Sequence, residues 1–336
     1  MASSSILLAH GSGGRLSCEL INELFFPAFN NSILNQAHDG ALLTIDSSKL
    51  AFSTDSFVVN PYFFPGGNIG DLAVNGTVND IAMCGATPKF LSAAFILEEG
   101  FPIKHLKKIV NSMASAAQAA QLKIVTGDTK VVERGCADGI FINTSGIGII
   151  NHSQQISPQN AQAGDVVITN GYIGDHGIAI LSQREGLSFE SRIQSDTAAL
   201  QHLVSTILTA SSHTHVLRDP SRGGLASTLN EIAQASQIEI RLKESAIPMR
   251  DSVRAACELL GLDPLIIANE GKLIAIVPQA DCTAVLKAMQ QHPLGRNSAV
   301  IGKVLDKNSA KVTLETTIGS LRVVDMPLGE QLPRIC

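Results

Sequence analysis

Tryptophan is absent from these 336 residues and tyrosine occurs only twice, so platforms for stacking nucleic-acid bases are scarce. Charged residues make up 16%, against about 25% in an average globular chain. That shortage excludes a mainly disordered chain or a coiled coil. The net charge of −5 gives no basic footprint for nucleic acid. No apolar run approaches the roughly 18 residues that a membrane span needs, and the opening MASSSILLAHGSGG has no basic leader region. The expectation is a cytoplasmic chain that binds neither membrane nor nucleic acid. No CxxC pair joins the six cysteines (Cys18, Cys84, Cys136, Cys257, Cys282 and Cys336), which removes support for a zinc or redox site. A Walker A loop and a GxGxxG fingerprint after a strand are also missing.

What is present is apolar: 45% of residues are hydrophobic, enough for a sizeable core, and the length suits two domains. Strand-like runs alternate with helical patterns, so the fold class is α/β (α+β). In the first half, strands are expected at 42–46, 50–55, 90–97, 123–126 and 140–150, with helices at about 71–83 and 102–121. The polar stretch 152–164 reads as a linker. Beyond it, strands are expected at 165–169, 238–242, 272–277, 299–305, 312–315 and 321–324. Helices are expected at 175–183, 197–210, 222–235, 249–260 and 281–291. The division is an N-terminal α/β domain over 1–155, a C-terminal α/β domain over 156–324 and a mobile tail over 325–336. Pro327 and Pro333 keep that tail from being helix or central strand.

Five segments could carry chemistry. His10-Gly11-Ser12-Gly13-Gly14-Arg15 can aim backbone N–H groups at an anion, and reads as either a flexible leader or a phosphate-covering flap. Asp55 ends a strand, Asp80 sits in a helix and Asp128 follows a strand. Each alone could be a cap or a turn; together, with Lys130 as a point charge, they suggest a metal–phosphate site. Arg218-Asp219-Pro220-Ser221-Arg222-Gly223-Gly224 has the look of a strand end, a turn and a helix start. Asp219 and Ser221 are natural N-caps there, and the arginine pair has affinity for anions. Glu270, in Asn269-Glu270-Gly271-Lys272, is either a general base in a cleft or part of a hairpin turn. Cys336 is the last residue, at the end of an arm that could reach at most roughly 40 Å.

Taken together, LAHGSGGR (8–15), TDSFVV (54–59), VNDIAMCGA (78–86), TGDTKVV (126–132), RDPSRGG (218–224), NEGK (269–272) and the terminal PRIC resemble the HypE family of hydrogenase maturation proteins over nearly the full length. That family lies within the superfamily of aminoimidazole ribonucleotide synthetase and selenophosphate synthetase. Ser221 stands where the family pattern has Thr and keeps the hydroxyl. The resemblance implies two α/β domains, with N-terminal sheets pairing across a homodimer and a flexible C-terminal tail. It implies ATP-dependent dehydration of an S-carbamoyl group on Cys336 to a thiocyanate. A HypF-like carbamoyltransferase would deliver the group, and a HypC–HypD-like scaffold would receive the cyanide for a [NiFe] hydrogenase iron centre. ATP and Mg²⁺ would be the cofactors. Asp55, Asp80 and Asp128 would hold the metal. Lys130 and the leader (Gly11, Ser12, Gly13, Gly14) would hold phosphate, with Arg218 and Asp219 also at the nucleotide. Glu270 would be the base, with His10 second. Two alternatives stand beside this reading: a selenophosphate synthetase-like kinase or ligase using an N-terminal thiol such as Cys18, and a non-catalytic scaffold that presents Cys336.

Overall fold

The computed structural model describes residues 7, 13–29, 31–46, 48–186, 193–306, 309–329, 332 and 334–336. His10, Gly11, Ser12 and Pro333 lie outside the described residues. Helix α1 (Arg15–Leu20) continues through a π turn into α2 (Phe26–Ala28). Then come β1 (Ala41–Ile45), β2 (Ser48–Phe57), the two-residue strands β3 (Phe63–Phe64) and β4 (Gly67–Asn68), α3 (Ile69–Met83), β5 (Thr87–Glu98), α4 (Ile103–Ala119), β6 (Lys123–Val132) and β7 (Ile140–Ile149). Five of the strands form a sheet in the order β1-β2-β7-β5-β6, antiparallel except for the β5–β6 pair. Helix α3 opens with a reciprocal cap between Asn68 and Asp71. It is buried on nearly every side, because the sheet, α4 and the second domain all pack on it.

The second domain contains β8 (Asp165–Thr169), α5 (Asp175–Glu185), α6 (Gln201–Ala210), β9 (Val216–Arg218), α7 (Gly224–Ser236), β10 (Glu239–Lys243), α8 (Asp251–Leu260), β11 (Ile274–Pro278), α9 (Cys282–Gln291), β12 (Ala299–Leu305), β13 (Lys311–Glu315) and β14 (Leu321–Val324). Its seven-stranded sheet has the order β14-β13-β10-β12-β8-β11-β9. The inner strands are apolar on both faces: Val167, Ile274 and Ile276 pack into one core, and Ile168, Ala275 and Val277 into another. No helix among the described residues is long and apolar enough to cross a membrane.

Three expectations need correction. The strand expected to stop at residue 126 runs on to Val132. Gly-Asp looked like a turn, but Val125 is the extra residue of a register shift and Gly127 pairs with Ala93. A Cβ on Gly127 would lie 2.1 Å from the Ala93 carbonyl oxygen, so glycine is what lets the strand continue. The helix expected at 197–210 begins only at Gln201. Helix α7 is capped by Gly223, not by Asp219 or Ser221.

Candidate active site

The two domains enclose a cleft of about 480 Å³, lined among others by Asp39, Asp55, Asp80, Arg218, Asp219 and Glu270, with Cys336 at its wall. Asp55 comes from β2 and Asp80 from the last turn of α3, where Ser53 Oγ donates to its Oδ2 at 2.7 Å. Asp219 follows β9. Asn269 holds that turn, since its backbone N–H and its Nδ2 both donate to the Pro220 carbonyl, at 3.2 and 2.9 Å. Glu270 is fixed by its backbone: its N–H donates to Asp196 Oδ1 at 3.1 Å, and its carbonyl accepts from Asn79 Nδ2 at 3.2 Å. Its carboxyl is buried, and Oε1 has no hydrogen-bond partner among the described residues. Glu270 thus lines the cleft, and no strand among the described residues precedes β11 closely enough to make NEGK a hairpin turn.

Burial raises the acids of this cleft, and for Asp80 and Glu270 neighbouring carboxylates add to it. Asp80 is pushed well above the usual carboxylate range by burial, with Asp219, Asp55 and Asp39 adding. Glu270 is pushed well up by burial, Asp219, Asp55 and Asp196, while Arg222 opposes. Asp219 is raised to about 6, chiefly by burial, and Asp55 is raised for the same reason. Such a cluster is poised to take a cation, or a proton drawn from a bound molecule. The orphaned Glu270 oxygen and the mutual repulsion of Asp55, Asp80 and Asp219 suit a divalent metal, although among the described residues no ready-made group of three or more metal ligands is present.

The glycine leader meets the RDPSRGG turn. Gly13 has φ +72°, and a Cβ there would lie 2.7 Å from Arg222 Cβ; at Gly223, with φ +73°, one would lie 2.0 Å from Ser227 Oγ. Only glycine at both positions allows this approach. Arg218 lies against Asp39 (Nε to Oδ1, 2.5 Å) and Glu231 (Nη2 to Oε2, 2.7 Å).

The tail enters the cleft from the side. Val58 N–H donates to the Cys336 carbonyl (3.0 Å) and Asn60 N–H to the Arg334 carbonyl (3.2 Å). Ile335 is buried in the first domain's core. The Arg334 side chain donates to the Val58 carbonyl at 2.9 Å and pairs with Asp138. Arg184 Nη2 donates to the Arg334 carbonyl at 2.8 Å, and His176 Nε2 lies 2.8 Å from the Ile335 carbonyl. The end of the tail therefore rests inside the core, where it was expected to lie outside it. In this position Cys336 is half-buried, and desolvation drives its thiol well above the ordinary range, with Glu270 adding and Arg222 opposing.

Asp128 and Lys130 do not join this cluster within one chain. Asp55, Thr144, Ala93 and Gly127 form one cross-strand row. Side chains alternate along a strand, so Asp128 faces the opposite side of the sheet from Asp55, three strand spacings or roughly 14 Å away. There Lys130 and Asp128 pair with each other at 2.6 Å in solvent. The sequence reading missed Asp39, Arg222 as a cleft residue, Asn79 and His176. Arg222 sat beside Gly223 of the RDPSRGG motif, the one signal that could have found it, and Asp39 lay outside every motif. Cys18 lines the cleft, but its thiol is pushed up to about 11, mainly by burial.

The tandem domains are those of the AIR synthase related proteins: the N-terminal domain model of that family matches residues 37–150 and the C-terminal one residues 162–315. A carbamoyl dehydratase HypE of Cupriavidus necator is 52% identical over 335 residues, covering 99% of this chain and 95% of its own. The chain belongs to the HypE family. A crystal structure of hydrogenase maturation protein HypE in complex with ATP superposes with a TM-score of 0.83 at 49% identity, covering 99% of this chain and 100% of that one. A HypE–HypF complex gives 0.88 at 49% identity, covering 92% and 99% respectively.

Proposed function

We propose that this chain is an ATP-dependent carbamoyl dehydratase that converts an S-carbamoyl group on its own Cys336 into S-cyanide. The observation that carries the reading is Cys336 seated at the wall of the acidic cleft. Oxide is a poor leaving group from S–C(=O)–NH₂. Transfer of the γ-phosphoryl group of ATP to the carbonyl oxygen, with release of ADP and loss of one N–H proton, gives the O-phosphoryl imidate S–C(OPO₃)=NH. Removal of the second N–H proton then expels phosphate and leaves S–C≡N.

Each step assigns work to residues here. Positioning and charge neutralisation dominate phosphoryl transfer; Arg222 and the Gly13–Gly14 leader would steady the phosphates. A Mg²⁺ held by Asp55 and Asp80, beside Asp219, would neutralise phosphate charge. Glu270, whose Oε1 has no hydrogen-bond partner among the described residues, would take the second N–H proton, and His10 is the next choice. In the docked position the thiol is hard to ionise, and a thiolate is what attacks a carbamoyl donor. Carbamoylation would therefore occur with the tail withdrawn, on a HypF-like carbamoyltransferase, and dehydration with the tail docked. The cyanide would pass to a HypC–HypD-like scaffold serving a [NiFe] hydrogenase.

A homodimer fits the sheet. Phe52, Phe90, Ile96, Ile147 and Ile149 are exposed on the face opposite α3 and α4, and an apolar face of that kind calls for a partner. A second copy covering it is also the route by which Asp128 and Lys130 could approach a cleft. The test is ATP turnover with a carbamoyl donor system. Cys336→Ala should bind ATP and form no nitrile; nitrile formation by that variant would overturn the reading.

A further inference from the structure

We propose that His176 is the latch that fixes the docked tail in register with Glu270, a positioning residue for dehydration and not for carbamoylation. The inference rests on the dehydratase reading, because only there must the nitrogen of a group carried on a tail meet a fixed base. His176 sits in the first turn of α5 and is fully buried. Its Nδ1 lies 2.7 Å from Ser195 Oγ and its Nε2 lies 2.8 Å from the Ile335 carbonyl oxygen. Thr197 N–H donates to Ser195 Oγ at 3.1 Å, leaving the serine hydroxyl to donate to Nδ1. The ring therefore carries its proton on Nε2 and donates it to the tail. Burial keeps the ring neutral by lowering its pKa, with Asp196 and the Ile335 carbonyl opposing.

The other side of the latch leads to the base. Ser195 N–H donates to the Pro65 carbonyl of the first domain at 2.8 Å. The next residue, Asp196, accepts the Glu270 backbone N–H and pairs with Lys272 at 2.8 Å. One short segment, 195–197, thus holds His176 on one side and the Glu270 backbone on the other. Because the latch grips a main-chain carbonyl, it works alike on a free, carbamoylated or cyanylated Cys336.

The test uses the full chain with His176→Leu, which removes both ring nitrogens, and His176→Gln, which keeps an N–H donor of similar reach. Three quantities are measured: alkylation of Cys336 by iodoacetamide without ATP, read on the C-terminal peptide; single-turnover rates of carbamoylation and dehydration; and ATP affinity with thermal midpoint. Losing a buried hydrogen bond and leaving a carbonyl unpaired should shift the docked–free balance roughly 5–30-fold. His176→Leu should therefore alkylate faster and dehydrate more slowly by about that factor, with carbamoylation no slower and ATP affinity unchanged, and His176→Gln should recover most of the loss. If His176→Leu fails to fold, Ser195→Ala should give a smaller change in the same direction. Wild-type alkylation and dehydration rates in a folded variant, or equal slowing of both chemical steps, would overturn the latch. Faster alkylation in His176→Leu alongside a wild type that makes no nitrile would instead overturn the dehydratase reading and leave the grip of His176 on the tail standing.

Discussion

At Glu270 two demands conflict: burial and three neighbouring acids keep its proton on, while the proposed elimination needs it off. Dehydration should therefore rise with pH along a limb lying above the ordinary carboxylate range, measured in single turnover of the carbamoylated protein. Glu270→Gln should bind ATP and accept the carbamoyl group, yet form nitrile about 10²–10⁴-fold more slowly and lose that limb; a wild-type rate would move the base to His10. Asp219 gives a stability prediction. Its folded pKa of about 6 lies above its unfolded value, so its contribution is complete below about pH 4 and is lost as pH rises through about 6. Denaturant melts of wild type and Asp219→Asn should show the wild type losing ground to the variant over that window; parallel pH dependences would contradict this. Glu270 was legible because it stands between Asn269 and Gly271, and Asp219 because it belongs to the RDPSRGG turn. Asp39 and His176 were not, since their roles arise from Arg218 and Ile335, partners brought close only by the fold.

Helix α3 is tied to the second domain by Asn75, whose Nδ2 donates to Thr197 Oγ1 at 3.1 Å, and above all by Asn79. Asn79 Nδ2 donates to the carbonyls of Ala198 (3.0 Å) and Glu270 (3.2 Å), and its Oδ1 accepts from Leu200 N–H at 2.8 Å. At about 1 kcal/mol for each hydrogen bond lost, Asn79→Ala should cost about 2–3 kcal/mol of stability. It should also slow dehydration, because the wall carrying Glu270 loosens; calorimetric melting and single-turnover rates check both, and a melt unchanged from wild type would refute the role. Helices such as α4 were legible from apolar periodicity, as were the inner strands from their length and apolar runs. Strand β6 was not read in full, since an edge strand has little burial to impose alternation, and Thr126-Gly127-Asp128 carries the composition of a turn. The cap of α7 was misread for a related reason. Asp219 has capping chemistry, but the cleft claims its side chain and Gly223 supplies the turn.

For the whole molecule, the apolar sheet face and the docked tail are the two features that one isolated chain leaves unexplained. Phe90→Asp places a charge in the middle of that face and should give a monomer by sedimentation. If Asp128 and Lys130 act from a second copy, Mg·ATP affinity should fall with it; a dimer that survives the charge would contradict the pairing. The tail was legible in sequence as a terminal thiol, but its seat was not, because Val58, Asn60, His176 and Arg184 bind its main chain and leave no side-chain pattern. The central claim is that Cys336 is the site of reaction, and intact-mass spectrometry of the C-terminal peptide tests it most directly. With a carbamoyl donor system the peptide should gain one carbamoyl group, and on adding ATP it should lose one water. A carbamoyl-modified peptide that keeps its mass with ATP, or a modification carried on Cys18 or Cys84 instead, would contradict the account.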